Sequence, residues 1–185
     1  LYDAIDQMLD TDSKTETVEV VLDAAVEVLG LAQTGIHRHD EDERALVPVV
    51  WSGSLEDELG EPPALGPGST AWDVYEDETT PRVEDYWSEG THHNPDTEFR
   101  SEVIVPLGEY GALLSASPEP AEFDDLDERF LEVLCANAVD AFDRLDRRER
   151  LEWRGAELAR QQDIGGGLGG QLRERFGRIS AGATG

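Results

Sequence analysis

A mixed α and β domain built on an antiparallel sheet is the fold class this sequence predicts, and three observations predict it. Apolar residues recur at helical spacing in two regions, residues 18–29 and 126–145. Between them lie runs of strand length that alternate or stay apolar, at residues 34–39, 46–51, 103–107 and 112–116. The runs pair off across short turns, a charged one at residues 40–44 and a glycine-bearing one at residues 108–111, which is hairpin spacing.

Taken in order, Leu1, Ile5, Met8 and Leu9 share one face of a short amphipathic stretch that Thr11, Asp12 and Ser13 break. Val18, Val21, Leu22, Ala25, Val26 and Leu29 mark the next helix, and Gly30 stands where it would end. Thr34, Ile36, His37, Arg38 and His39 read as an extended segment, hairpin-linked to a second strand at residues 46–51. Residues 52–68 read as a loop because they hold Gly53, Gly60, Pro62, Pro63, Gly66, Pro67 and Gly68. Ser69 caps a short helix through Tyr75. A turn at residues 79–81 leads to a short strand at residues 82–86, and residues 90–96 form another loop.

In the second hairpin Val103, Val105 and Leu107 alternate, and Pro106 suits a sheet edge or a bulge. Asp124, with Asp127 three residues on, can cap the closing helix, which should run from about Leu126 into the 150s. Its apolar stripe weakens after Leu145. Residues 165–170 hold five glycines in six positions, which opposes helix continuation. The organisation expected is a folded domain over residues 1–145, a helical extension over 146–164, and a flexible tail or the edge of a further module over 165–185.

The formal net charge is −27, from 42 acidic and 15 basic residues, and Lys14 is the single lysine. An acid-rich, lysine-poor surface suits concentrated salt, where screening over a few Å removes self-repulsion. A halophilic origin is therefore expected. Nucleic-acid binding is not, because phosphate affinity needs clustered cations, and the arginines between Arg144 and Arg154 are interleaved with acids. No apolar stretch approaches the ~20 residues that span a membrane, so no membrane contact by this segment is expected. The chain begins at Leu1 and reads as a segment of a longer, cytoplasmic protein.

Residues 65–86, LGPGSTAWDVYEDETTPRVEDY, carry a glycine turn, a short helix and a T-x-P step into a strand, at Gly66, Gly68, Ala71, Thr79, Pro81, Val83 and Asp85. Residues 99–117 carry an R-S-x-x-x-V-P-L…G-x-L hairpin, at Arg100, Ser101, Val105, Pro106, Leu107, Gly111 and Leu113. A closing helix follows, at Phe123, Leu126, Leu131, Leu134, Ala138 and Ala141. Together these residues resemble the GAF domain over about residues 1–145. The resemblance implies an antiparallel sheet of about six strands with helices on both faces and a long C-terminal helix. It implies a small-molecule pocket between the sheet and the middle helix–loop layer. With the charge pattern, it implies a sensor histidine kinase or bacterio-opsin-activator-like regulator of a salt-loving archaeon.

Trp51, Trp72, Tyr75, Tyr86, Trp87 and Phe99 flank the region where the family's pocket lies, and Arg100 or Ser101 could orient a polar group of a ligand. The alternative is that these aromatic residues fill the core and the edge of a loop layer. Family members that attach bilins use a cysteine in the central region, and those that reduce free methionine sulfoxide use several. The single cysteine here, Cys135, sits between Leu134 and Ala136 in a helical pattern and reads as buried and structural. The N-K-x-n-F-x-D-E pattern of cyclic-nucleotide binders is absent.

His37 and His39 share a strand face, and His92 and His93 adjoin in a loop, so a metal site would need that loop to fold over the sheet. Exposed histidines in an acidic protein are the simpler reading. No serine sits in a G-x-S-x-G turn, and the glycine run lacks the lysine of a phosphate-binding loop. The expected function is thus non-catalytic sensing, with an unidentified ligand, no named cofactor, and homodimerisation through the terminal helices. Leu134, Ala138, Ala141 and Leu145 step by four, three and four, which suits a helix–helix seam or packing on the sheet. The alternatives are a ligand-free dimerisation module and a metal-using enzyme on the same fold.

Overall fold

The computed structural model describes residues 1–86 and 98–180, with residues 162–180 as backbone. The chain divides into two compact units, residues 1–143 and 144–185.

The first unit begins with helix α1 (Tyr2–Asp10), which buries Ala4 and Met8. Ser13 then opens helix α2 (Lys14–Asp23), its hydroxyl accepting the Glu16 N–H at 3.2 Å. The Glu16 carboxylate returns to the Asp12 N–H at 2.7 Å, so the turn that ends α1 also starts α2. The helical pattern read over residues 18–29 is helix only to Asp23 and continues as a π-helical turn at Ala24–Val28. Gly30, at φ 75°, follows that turn.

Five strands form one antiparallel sheet in the order β2-β1-β5-β4-β3. They are β1 (Gln33–Asp40), β2 (Ala45–Trp51), β3 (Arg82–Val83), β4 (Ser101–Pro106) and β5 (Gly111–Ser117). Both expected hairpins are present, β1 with β2 and β4 with β5. Pro48 lies on the edge strand β2, and Pro106 ends β4, where each missing N–H is tolerated.

Residues 52–68 are not all loop, as the glycines and prolines had implied. Helix α3 (Gly53–Leu59) forms there because Ser52 accepts the Leu55 N–H at 3.2 Å and Leu55 is buried. A cap and one apolar anchor outweigh Gly53 at the first helical position, where its conformational freedom does little harm. Helix α4 (Thr70–Asp77) is capped by Ser69 as read.

The sheet is covered on both faces, so residues of both alternations are buried along β1, β4 and β5. One face presents Ile36, Val103, Val105 and Leu113 to α1, α2 and the start of the closing helix α5 (Asp125–Ser180), where Met8, Val18, Val21, Leu131 and Leu134 meet them. The other presents Leu46, Ile104 and Ala112 to Ala71, Trp72 and Val74 of α4. Leu134, Ala138 and Ala141 belong to the first cluster, and Leu145 is buried too. Leu134, Ala138 and Ala141 thus pack within the first unit. Leu134 has no exposed surface, so Leu134→Ala should lower the unfolding free energy by about 3 kcal/mol, read by urea denaturation.

Asp124 caps α5, its Oδ1 accepting the Leu126 N–H at 2.7 Å and the Asp127 N–H at 3.0 Å. The helix then runs through the glycine-rich residues 165–170 to Ser180, past the point where the sequence reading ends it. Glycine lowers helix propensity by about 1 kcal/mol per residue relative to alanine but does not forbid the conformation, and extending a formed helix needs no new nucleus. Among the described residues no helix is long and apolar enough to cross a membrane.

Candidate functional site

On the α4 side of the sheet, beside the Trp72 cluster, the strands and α3 border a half-open cavity of about 120 Å³. Its floor is formed by strand residues, Gln33, Gly35 and His37 of β1, Glu102 of β4, and Leu114 and Ala116 of β5. Leu55 and Leu59 of α3, then Pro62, Pro63 and Leu65, form the roof, and Phe99 closes one side.

Local chemistry explains the shape. Gly35 leaves the floor open, since a Cβ there would stand 3.2 Å from Leu55 Cδ2 and 3.6 Å from Trp51 Cβ. The roof strand is tied down by paired hydrogen bonds at 2.9 Å between the Leu46 and Leu65 backbones. Pro62 and Pro63 carry no N–H to be satisfied under that roof, which leaves an apolar surface over the sheet.

Two titratable groups enter this apolar space. His37 is 3% exposed, and its Nε2 donates to the Pro63 carbonyl at 3.1 Å. Burial pushes the imidazole down from 6.5 to about 4, with the Pro63 bond opposing, so the ring is neutral near pH 7. Its Nδ1 is buried and has no hydrogen-bond partner among the described residues. Glu102 is half-buried, and the Tyr86 hydroxyl donates to its Oε2. Withdrawal from water pushes this carboxyl up from 4.5 to about 7, and the Tyr86 bond only partly offsets that. Tyr86 is held in place by its own N–H, which donates to the Arg100 carbonyl at 2.8 Å.

The residues singled out from the sequence divide around this cavity. Phe99 lines it, and Tyr86 reaches it through Glu102. Trp72 and Tyr75 lie alongside, packed on His39 with ring centroids 5.7 and 4.8 Å from it. Trp51 lines a separate open groove with Glu19, Leu22, Asp23 and Glu56. The Arg100 guanidinium donates to both oxygens of Asp85, at 3.2 and 2.8 Å. Ser101 faces the other side of the sheet, where its hydroxyl donates to the Glu119 carbonyl at 2.6 Å. Trp87, His92 and His93 lie outside the described residues.

Leu55, Pro63 and Glu102 were not singled out. Glu102 was legible in principle, since it alternates with Ile104 on β4, but only the Val103, Val105 and Leu107 face was read from the sequence. His37 was weighed as a metal ligand against an exposed strand histidine, and the structure buries it under α3 and the Pro63 carbonyl, at 3% exposure. Among the described residues no three His, Cys, Asp or Glu side chains are placed to hold a metal ion. Cys135 is buried, and its surroundings push the thiol well above its usual range, away from the reactive thiolate.

Solved structures of the same architecture are numerous. The GAF domain of an Acinetobacter phosphoenolpyruvate-protein phosphotransferase superposes with a TM-score of 0.66 at 17% identity, covering 79% of this chain and 92% of that one. Free methionine-R-sulfoxide reductase from Neisseria meningitidis, solved with its substrate, gives 0.66 at 19% identity over 78% of this chain and 87% of that one. A putative GAF sensor protein from Burkholderia vietnamiensis gives 0.64 at 19% identity over 80% and 88%. No curated protein sequence matches the chain significantly. At these identities the likeness speaks to the fold. Membership follows from the family model described as GAF domain, which matches residues 11–143. With that match over most of its length and this sheet beneath it, the chain belongs to the GAF domain family, whose members are mostly sensory and regulatory ligand-binding modules.

Proposed function

We propose that this chain is a non-catalytic sensory module that takes a small molecule into the cavity beneath α3 and relays its presence through α5. The observation that supports this most is the cavity itself, an apolar space on the sheet furnished with the polar side chains of Gln33, His37 and Glu102. Relay is supported by the two-faced sheet. Leu114 lines the cavity, while its neighbour Leu113 faces the cluster that holds Leu131 and Leu134 of α5. A ligand that moves β5 therefore presses on the helix from the opposite side. The buried, unreactive Cys135 supports the non-catalytic reading.

Pairing of two copies through the terminal helices is part of the same proposal. Tyr2 and Leu9 on α1, and Leu126 and Val133 on α5, are exposed apolar side chains that such an interface would cover. The net charge of −27 supports a home in a signalling protein of a salt-loving archaeon, in the cytoplasm.

The test is thermal unfolding of the chain in molar potassium chloride against metabolites, nucleotides and metals, with solution mass followed over concentration. A ligand at a hundredfold excess over its Kd stabilises the native state by about 2.7 kcal/mol, so a dose-dependent rise is expected. No rise with any compound, alongside a concentration-dependent dimer, would replace sensing with a ligand-free dimerisation role. Equal unfolding temperatures in dilute buffer and molar salt would remove the halophilic part.

A further inference from the structure

We infer that Glu102 selects what the cavity binds, and that the ligand is an amphipathic cation whose ammonium, amidinium or guanidinium group pairs with the Glu102 carboxylate while its apolar body lies under α3. This rests on the cavity being the ligand site, as proposed above, and adds the residue that chooses the ligand and the chemistry it chooses.

The sheet aims Glu102 at the cavity. On β4 it alternates with Ile104, which packs beside Trp72 on the α4 side, so both side chains leave the sheet on that face. Glu102 lines the cavity there, in one row across the sheet with Ala116 and Gln33. Its backbone lies between paired strands, opposite Val83 of β3 and Ala116 of β5. The surface this half-buried residue keeps therefore belongs to its side chain.

That side chain has hydrogen-bonding capacity to spare and no counter-charge. A carboxylate offers about four acceptor sites. Among the described residues Glu102 accepts one hydrogen bond, from the Tyr86 hydroxyl to Oε2. No lysine or arginine lines the cavity. The nearby arginines are engaged elsewhere, Arg100 with both oxygens of Asp85 and Arg82 with Asp125 and Glu128 of α5. An ionised carboxylate in apolar surroundings is costly until a cation meets it, and a charge-assisted N–H bond is among the strongest that can form there.

The rest of the lining sets the other half of the ligand. Leu55 and Leu59 of α3, Phe99 and Leu114 give it an apolar wall, and besides Glu102 only Gln33 and His37 bring polar side chains. A ligand with one charged end and an apolar body fits this division. An anion finds no cationic side chain in the lining, and the chain's charge of −27 opposes its approach.

The pairing carries a pH signature. The titratable groups that face Glu102 are the Tyr86 hydroxyl and, from β1, His37, whose ring is neutral near pH 7, while β5 and α3 present Ala116, Leu55 and Leu59. Burial pushes the Glu102 carboxyl up to about 7. An alkylammonium stays protonated well above that, as lysine does. Binding therefore requires ionised Glu102, and affinity should rise about tenfold from pH 6 to pH 8.

Hexylamine, hexan-1-ol and hexanoate test this, because they share an apolar body and differ in the charge of one end. The full chain is titrated with each at pH 6 and pH 8 in molar potassium chloride, and binding is read by calorimetry and by ¹³C NMR of glutamate labelled at the side-chain carboxyl. Hexylamine should bind at pH 8 at least tenfold more tightly than the other two, and about tenfold more weakly at pH 6 than at pH 8. It should also lower the pH at which the Glu102 carboxyl resonance titrates. In Glu102→Gln the preference for hexylamine and its pH dependence should both vanish. Should that variant not fold, the Glu102 resonance of the wild type decides. A preference that survives in Glu102→Gln, or a Glu102 titration that hexylamine leaves unmoved, overturns the assignment to Glu102 and leaves the cavity as the ligand site. Hexan-1-ol or hexanoate binding as tightly as hexylamine overturns the choice of a cation. Failure of all three to bind overturns the inference, and the wider set of compounds above then decides the site.

Discussion

Replacing Gly111 by alanine should destabilise the fold by at least about 3 kcal/mol, the largest effect expected of any single methyl group here. Gly111 opens β5 at φ 155° and pairs with Arg38 of β1. A Cβ at this position would stand 2.0 Å from the His37 carbonyl oxygen and 2.9 Å from Arg38 Cα. Both obstacles are backbone atoms of a central strand, so no rotamer change relieves the clash. The hairpin cannot retreat freely either, because Leu107 N–H donates to the Gly111 carbonyl at 2.8 Å and His39 N–H to the Tyr110 carbonyl at 2.7 Å. Gly53→Ala is the control. Its added methyl would meet nothing within 4 Å, and it should be neutral or stabilise by up to about 1 kcal/mol. Urea denaturation of the two variants measures the contrast, and equal effects would refute the steric account. Since His37 carries the displaced carbonyl, Gly111→Ala should also weaken any ligand held in the cavity.

The second large effect is a pH dependence carried by Glu102. Its carboxyl has a folded pKa of about 7 against an ordinary 4.5, so the fold favours the protonated form. A group of this kind contributes fully to stability below the ordinary value, and that contribution is lost as pH rises through about 7. The full shift is worth about 3 kcal/mol. Because Glu102 keeps partial access to solvent, we expect about 2 kcal/mol. His37 works in the opposite direction. Its folded pKa of about 4 against 6.5 means stability is lost as pH falls from 6.5 through 4. The two trends partly cancel in the wild type, so the variant exposes them. Glu102→Gln keeps an acceptor for the Tyr86 hydroxyl and removes the ionisation. Its unfolding free energy minus that of the wild type should increase by about 2 kcal/mol between pH 4 and pH 8 in the same salt. A difference that stays flat with pH would show that Glu102 is ionised as easily in the fold as out of it.

The placement of these two groups shows where a linear reading stops. The order of elements was legible because its causes are local. Ser69 and Asp124 cap helices through their own neighbours, and the alternation of Val103, Val105 and Leu107 follows from the pleat of one strand. Helix α3 was missed for a related reason, since one cap and one buried leucine are a weaker local signal than seven glycines and prolines. The glycine run in α5 was misread because propensity is a bias on each residue, whereas continuation depends on the helix already formed.

By itself, then, the sequence determined the family, the hairpins, the caps and the acidic surface, all of which depend on residue type at short spacing. Which residues furnish the cavity was decided by tertiary structure. Gln33 and His37 of β1, Pro63 of the loop after α3 and Glu102 of β4 come from three segments, and they meet only because β5 pairs with both β1 and β4 while α3 folds back over Gly35. The same closure removes water from His37 and Glu102, and that desolvation, not residue identity, moves their proton affinities toward each other's ordinary range.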